Sequence, residues 1–232
     1  MSQEQGFFQS LSRSIAQYQD EMVASIVETG IMLGASLIAA LLVGLPMGTW
    51  MYLSRKNGPS PSGGIYAVLN AYVNIVRSVP FLLFVVALIP FTRWLVGTSF
   101  GTAAASVPLA FVAVALYARW VEQTLLDVPR RVVDLAHVLG ASTFGMVTRF
   151  LYPEARSGLV LSLTTVTISL ISYSTIMGVV GGGGVGDFAM RYGYQTYETE
   201  IMYTAIVIMV VAVMLIQATG TFISRRLDKR IR

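Results

Sequence analysis

Few residues in this chain are of the types that carry out chemistry. The 232 residues include no cysteine and a single histidine, His137. The absence of cysteine excludes disulfides, thiolate metal sites and cysteine nucleophiles. His137 has neither a second metal ligand nor a carboxylate pair arranged beside it, so we predict neither a metal site nor an acid–base role for it. The sequence therefore predicts no catalytic residue and no metal ligand.

A glycine-rich run, Gly181-x-Gly183-x-x-Gly186, has the spacing of the dinucleotide-binding fingerprint. That fingerprint requires a preceding strand and a following helix inside a soluble βαβ unit. Here the run follows a long apolar segment, so we interpret it as an external loop in which glycine lets the backbone pack closely. The sequence also lacks a Walker-type phosphate-binding loop, which predicts that the chain does not hydrolyse ATP and is not itself an enzyme.

Hydroxyl groups are concentrated in one apolar segment. They belong to Thr164, Thr165, Thr167, Ser169, Ser172, Tyr173, Ser174 and Thr175. In a membrane helix most such hydroxyls bond to their own helix or to a neighbouring one, and we expect this for most of them. A polar set on one helix can also line a transient aqueous path. Tyr173, Ser174, Ile176 and Met177 are our candidates for its wall, and we expect Ile176 and Met177 to close it on the outer side.

The composition is that of a membrane protein. Hydrophobic residues make up 55% of the chain and charged residues 12%, against about 25% charged residues in soluble domains. A bilayer core requires about 20 apolar residues per helix. The sequence therefore predicts an all-α polytopic membrane protein with five spans, at about 25–53, 68–91, 102–118, 159–180 and 201–223. Pro80 should kink the second span.

The distribution of Lys and Arg predicts the orientation of the spans. If the C-terminus is cytoplasmic, the 16 basic residues divide so that only Arg13, Arg93 and Arg191 lie outside. The N-terminus is then outside, where residues 1–24 have the three- to four-residue apolar period of an interfacial helix. Residues 25–225 form the transmembrane domain, and residues 226–232 form a basic cytoplasmic tail suited to anionic lipid rather than nucleic acid.

Residues 119–157 form the only sizeable soluble segment that the sequence predicts, and it faces the cytoplasm. We expect short helices broken at Pro129, around Gly140 and before Pro153. Ala136 and Gly140 would let a short helix turn sharply and press closely on another surface. From the residues alone, an ordinary helical loop capped by glycine is favoured over a docking segment.

Three runs in this loop change that preference: Asp134-Leu-Ala136, Gly140-Ala-Ser and Leu151-Tyr-Pro153-Glu. Together they resemble the Glu-Ala-Ala…Gly…Leu-Pro signature of ABC-importer permeases, the inner-membrane components of binding-protein-dependent transport. The chain departs from the signature in having Asp134 for Glu and Leu135 for Ala. The resemblance implies the type I importer fold and a coupling helix that docks on an ATPase. The implied coupling residues are Asp134, Leu135, Ala136, Gly140, Ala141 and Pro153.

Further runs resemble methionine-uptake permeases, and with the spans they cover roughly residues 25–225. They are Arg77-Ser-Val-Pro-Phe-Leu-Leu, Ile89-Pro-Phe-Thr-Arg93, Val96-Gly-Thr-Ser99, Gly181-Gly-Gly-Gly-Val-Gly-Asp187 and Arg191-Tyr-Gly-Tyr194. The resemblance implies import of L- or D-methionine across the bacterial inner membrane. It also implies two copies of this chain, two cytoplasmic ATPases that hold ATP and Mg, and an extracytoplasmic binding protein. No cofactor is then expected on this chain.

Alternatives remain open within and outside this class. The chain could import another amino acid or a small peptide, or it could be a passive channel or a membrane scaffold. A channel should have polar rings on several spans, whereas here the polar residues are concentrated on one. Apart from Glu28 and Arg77, we predict no charged residue deep enough in the membrane to meet a zwitterion. Selection of the substrate is therefore expected of the binding protein.

Overall fold

The computed structural model describes residues 16–228, and every regular element within that range is helical. The predicted all-α class is therefore confirmed for the described part of the chain. The α-helices are α1 (Gln19–Ala39), α2 (Leu45–Ser54), α3 (Gly63–Ser78), α4 (Phe81–Val96), α5 (Thr102–Leu126), α6 (Arg130–Val138), α7 (Thr143–Met146), α8 (Tyr152–Val179), α9 (Gly184–Phe188) and α10 (Thr199–Leu227). Three π-helical turns join some of them, at Ala40–Gly44, Val147–Leu151 and Ala189–Tyr194.

Within residues 16–228, four continuous helical segments are long and apolar enough to cross a membrane: Gln19–Ser54, Thr102–Leu126, Thr143–Val179 and Thr199–Leu227. The predicted interfacial helix of residues 1–24 lies mostly outside the described residues. Its described part does not end at residue 24, because α1 runs without interruption from Gln19. The predicted tail begins inside α10, which ends at Leu227, and residues 229–232 lie outside the described range.

The predicted second span is broken rather than kinked. Helix α3 ends at Ser78 and α4 begins at Phe81, and the two together count as a fifth span only if the broken pair is taken as one. Val79 between them is extended, with φ −78° and ψ 129°. The ring of Pro80 disfavours the helical conformation at the residue before it, which is the physical reason for the break.

Two helices extend beyond the ends predicted for the third and fourth spans. Helix α5 continues to Leu126, past residue 118, and contains the Arg119–Glu122 ion pair. The predicted break before Pro153 is absent, since Pro153 lies in the first turn of α8, where its missing N–H is tolerated. The wider π-helical turn at Val147–Leu151 just before it also makes room for the ring.

The chain divides into two compact units, and long helices contribute to both. Unit 1 comprises the chain up to Ser36 together with Phe81–Leu109 and Ser169–Leu215. Unit 2 comprises Leu37–Pro80, Ala110–Ile168 and the chain from Ile216 onward.

The core of unit 1 is built around the short helix α9. Val185 and Phe188 of α9 pack with Ile201 and Ala205 of α10. Tyr18 packs against this cluster and its hydroxyl donates a hydrogen bond to Glu198 Oε1 at 3.2 Å. The start of α1, the α9 turn and the start of α10 therefore form one packed assembly.

The core of unit 2 depends on two glycines of the first span. Met51, Val73 and Ala118 form its buried cluster, which brings together α2, α3 and α5. A Cβ at Gly44 would lie 3.0 Å from the Val114 carbonyl oxygen, and a Cβ at Gly48 would overlap the Ala118 backbone. Of the two Gly-x-x-x-Gly motifs in this span, Gly44 and Gly48 therefore mark a close helix contact. At Gly30 and Gly34, by contrast, a Cβ would meet no described atom within 4 Å.

We expect Gly48→Leu to destabilise the protein and Gly34→Leu to leave its stability nearly unchanged. The first substitution overpacks the contact between α2 and α5, at a cost of about 1–3 kcal/mol, whereas the second adds a side chain in open space. Thermal unfolding of the purified protein in detergent measures both. Equal unfolding temperatures for the two variants would contradict the close contact.

Candidate functional site

Helix α6 is the centre of the predicted coupling segment, and it belongs to unit 2. It begins after Pro129 and contacts the π-helical turn at Val147–Leu151. Ala136 is fully buried on the face toward the protein, and Val133 is 9% exposed. Leu135, by contrast, is 52% exposed. The sequence therefore folds α6 with one small-residue face against the protein and a second face open.

The end of α6 is a Schellman cap built on Gly140. Gly140 has φ +65°, in the left-handed region that favours glycine. Its N–H donates to the His137 carbonyl at 3.0 Å, and the Ala141 N–H donates to the Ala136 carbonyl at 3.0 Å. The expected glycine cap is present. A Cβ at Gly140 would meet no described atom within 4 Å, so within this chain the glycine is required by its backbone conformation and not by space.

Four apolar side chains stand exposed around this cap, and we call them the coupling face. They are Leu135, Val138, Leu139 and Phe144, with exposed fractions of 52%, 83%, 64% and 79%. Leu139, Gly140 and Phe144 also line a groove of about 780 Å³ that continues to Phe150. Exposed apolar side chains grouped in this way mark a surface that binds another molecule.

Asp134 and His137 line a different cleft of unit 2, with a volume of about 620 Å³. Arg55 and Arg130 line the same cleft. The Arg55 guanidinium lies 5.0 Å from the centre of the Tyr52 ring, and its Nε is buried with no hydrogen-bond partner among the described residues. The carboxylate of the signature thus shares a cleft with two guanidinium groups.

The structure separates the predicted coupling residues. Asp134, Leu135 and Gly140 are exposed, Ala141 is half-buried beside them, and Ala136 lies beneath them. Pro153 is the second residue of α8 and is not among the residues that line the groove at Gly140. The structure adds Leu139 and Phe144 to the candidate site. Sequence analysis did not predict them, although both are large apolar residues in a loop predicted to be soluble.

The predicted path residues lie in unit 1, where they point in different directions. The Tyr173 ring packs on Phe81, with ring centres 4.7 Å apart. Ser174 and Met177 are only 2% and 3% exposed, so in this conformation neither lines an open path. Ile176 faces a mostly apolar groove of about 610 Å³ that Met209 and Val210 also line. Of the four residues, Ile176 is the one that this structure leaves beside an open groove.

The hydroxyls of α8 bond mainly within their own helix. Thr164, Thr165 and Thr167 donate to the carbonyls four residues before them, and Ser174 and Thr175 donate to the carbonyls three residues before them. This is the behaviour that we expected for most of the polar set, and it leaves these side chains with no unsatisfied donor inside a membrane.

The glycine-rich run is a close-packed turn within unit 1. A Cβ at Gly178 would overlap the backbone of Gly186 and Asp187, and Gly183 and Gly184 have φ of +81° and +83°. Glu28 Oε2 accepts the Gly184 N–H at 2.6 Å, and Thr29 Oγ1 accepts the Val185 N–H at 3.0 Å. The expected tight packing is therefore present. The capping role of Glu28 and Thr29, distant in sequence, was not predicted.

Sequence analysis also missed a charged pair. It assigned Arg119 to a soluble loop, but both Arg119 and Glu122 lie in α5 and are mostly buried, with side-chain exposures of 17% and 5%. Glu28 and Arg77 were the charged groups expected deep in the membrane, and Arg119 and Glu122 are a further buried charged pair on a helix long enough to cross one. The signal available in the sequence was the i, i+3 spacing of opposite charges, which is typical of a helix.

Comparison with known proteins gives consistent matches over most of the chain. Residues 44–232 match the family of binding-protein-dependent transport system inner membrane components. A probable D-methionine transport system permease protein of Vibrio cholerae is 37% identical over 96% of this chain and 99% of its own length. The methionine import system permease protein of Bacillus subtilis is 35% identical over 78% of this chain and 81% of its own length.

Solved structures agree with these matches. A chain of the MetNI methionine ABC transporter, in an inward-facing conformation, has a TM-score of 0.89 and 38% identity to this chain. The alignment covers 92% of this chain and 99% of that one. A chain of an amino acid ABC transporter crystallised with histidines has a TM-score of 0.75 at 20% identity, covers 92% and 97% of the two chains, and supports the fold alone.

We expect Gly140→Ala to loosen the cap of α6 and Gly140→Asn to loosen it less. A side chain other than glycine in the left-handed region costs about 1–2 kcal/mol, and asparagine tolerates this region best. Millisecond hydrogen exchange of the amides at residues 140 and 141 should therefore accelerate at least about fivefold in the alanine variant. Unchanged exchange in Gly140→Ala would contradict the requirement for glycine.

Proposed function

This chain belongs to the family of binding-protein-dependent transport system inner membrane components, and we propose that it is the membrane-spanning subunit of an ATP-driven methionine importer. The observation that carries the proposal is the match to the MetNI permease chain, at 38% identity over 92% of this chain. The relatives from Vibrio cholerae and Bacillus subtilis, whose names specify methionine, support the same substrate. The protein is a multi-pass component of the inner membrane.

The proposed complex contains two copies of this chain, two cytoplasmic ATPases and an extracytoplasmic binding protein. The family description names the dependence on a binding protein, and the MetNI transporter is an ABC transporter. ATP and Mg then belong to the ATPases, which supply the energy, and this chain provides the passage. The N-terminus is outside and the C-terminus cytoplasmic, with five spans when α3 and α4 count as one.

The coupling face is the proposed contact with the ATPase. Its exposed Leu139 and Phe144 supply the apolar area that a stable protein–protein contact buries at its centre. The Schellman cap at Gly140 ends α6 abruptly, so these side chains project from a short, well-defined helix end. When ATP binding closes the ATPases, the coupling faces move with them. The spans then rock as rigid bodies to open the external side.

The translocation path is proposed to run along Tyr173, Ser174, Ile176 and Met177 at the contact between two copies. Ile176 is the member that lies beside the apolar groove in this structure. Met177, which is 3% exposed here, would have to become accessible when the helices rock. A mostly apolar wall suits a thioether side chain, although it does not by itself select methionine.

A strain lacking the chromosomal copy of this gene tests the function directly. We expect uptake of labelled methionine at low external concentration to return with the wild-type gene and with Leu139→Met, but to fall at least about tenfold with Leu139→Glu. A charged side chain at the docking surface cannot be desolvated without a partner. Co-purification of the ATPase should be lost in the glutamate variant only.

Two other outcomes would each contradict part of the proposal. If wild-type and deletion strains take up methionine equally and no second methionine importer is present, the substrate is wrong while the importer architecture stands. If Leu139→Glu transports normally, the coupling face is not the ATPase contact.

Single cysteines test the path, and the chain contains no cysteine of its own. We expect Ile176→Cys in the assembled complex to react with a membrane-impermeant thiol reagent at a rate that changes severalfold on addition of ATP. Met177→Cys should be nearly unreactive without nucleotide, because that position is buried in this conformation. Rates that do not respond to ATP at either position would remove these residues from the path.

A further inference from the structure

Four polar side chains of unit 2 form one hydrogen-bonded group, which we call the Arg119 cluster. Its members are Arg119 and Glu122 of α5 and Asn70 and Asn74 of α3. Arg119 Nη1 donates to Glu122 Oε2 at 2.7 Å. Arg119 Nη2 donates to Asn70 Oδ1 at 2.6 Å and to Asn74 Oδ1 at 2.9 Å. One guanidinium thus joins two helices.

The cluster includes residues of a helix that is long and apolar enough to cross a membrane. Helix α5 has 25 residues and is about 37 Å long at 1.5 Å per residue, which exceeds a hydrocarbon core of about 30 Å. Arg119 is about 11 Å from the end of the helix at Leu126, and hence several Å inside the core if the helix is centred. Charged groups at such depth are rare and usually functional, because each must be paired inside the protein.

Apolar packing already holds α3 against α5 without the cluster. Val73 and Ala118 belong to the fully buried core of unit 2, and the Tyr72 hydroxyl donates to the Phe111 carbonyl at 3.0 Å. The cluster also fixes the register of α3 on α5. Asn70 and Asn74 are one turn apart on α3, and one nitrogen of Arg119, Nη2, donates to both amide oxygens. Helix α3 therefore cannot slide or rotate along α5 without breaking two charge-assisted hydrogen bonds.

Helix α5 leads directly into the coupling segment. Only residues 127–129 separate its last residue, Leu126, from α6. A displacement of the coupling face is therefore applied first to the end of α5, about two turns beyond Arg119. On this basis we propose that Arg119 is a positioning residue that makes α3 move together with the coupling face during transport. The inference rests on the proposed function, since it requires an ATPase that moves that face.

The test uses the assembled complex with its ATPase and binding protein in proteoliposomes, and its readout is methionine taken up per ATP hydrolysed. We expect Asn70→Ala/Asn74→Ala, which keeps the ion pair, to lower this ratio at least about fivefold. We expect Arg119→Met/Glu122→Met to lower it about tenfold with an unchanged unfolding temperature, because no unpaired charge is left behind. Arg119→Lys should give an intermediate fall, since one ammonium cannot hold all three acceptors in place.

Arg225→Met is the matched control. Arg225 is also an arginine near the end of a long apolar helix, α10, but its side chain is exposed. We expect the control to transport as the wild type does. A purely structural cluster would lower the unfolding temperature and the amount of complex in step with uptake, and would leave the ratio of uptake to hydrolysis unchanged. That result would overturn the inference.

A second readout does not depend on the substrate. Spin labels at Val68→Cys on α3 and Arg131→Cys on α6, both exposed positions outside the coupling face, report the distance between α3 and α6. We expect one distance with and without ATP when the cluster is intact, and an ATP-dependent shift in Asn70→Ala/Asn74→Ala. An unchanged distance in that variant would overturn the inference, whereas a wild-type complex that transports no methionine would overturn the proposed function instead.

Discussion

Inside a bilayer a polar group finds its partner within the protein, and much of this structure follows from that constraint. The hydroxyls of α8 turn back onto their own carbonyls, and Glu28 and Thr29 cap the N–H groups at the start of α9. Arg119 is held by one carboxylate and two amides. Pairing of this kind lets a span carry polar residues without a continuous aqueous channel. It is therefore consistent with a transporter that opens to one side at a time.

The coupling face, by contrast, consists of apolar side chains that no other part of the described chain covers. Val138 and Phe144 are among the most exposed apolar side chains of the described chain, at 83% and 79%. Leu215 is also exposed, but it lies in the middle of the long apolar helix α10, whereas the coupling face lies on the short helices α6 and α7 and the cap between them. This exposed apolar surface is the basis of the proposed ATPase contact, and it is formed by α6, its glycine cap and the turn that follows.

The sequence was a good guide wherever a local pattern determines the structure. Long apolar runs predicted the helical class and most spans, and Gly140 predicted the cap of α6. It was a poor guide wherever contacts between residues that are distant in the sequence determine the structure. Gly30 and Gly44 begin identical motifs, and only the position of α5 makes one of them a close contact. Pro80 breaks its span and Pro153 does not, because a π-helical turn precedes Pro153. Arg119 ended the predicted third span because its partners on α3 could not be identified from the sequence.

The π-helical turns have a consequence for the evolutionary history of the spans. Inserting one residue into an α-helix rotates everything after it by about 100°, which would turn a packed face away from its neighbour. A π-helical turn absorbs that extra residue within a single turn. The turn at Ala40–Gly44 immediately precedes the stretch of α2 in which Gly48 meets α5. Single-residue insertions and deletions can therefore accumulate at these turns while each half of the helix keeps its own packing partners.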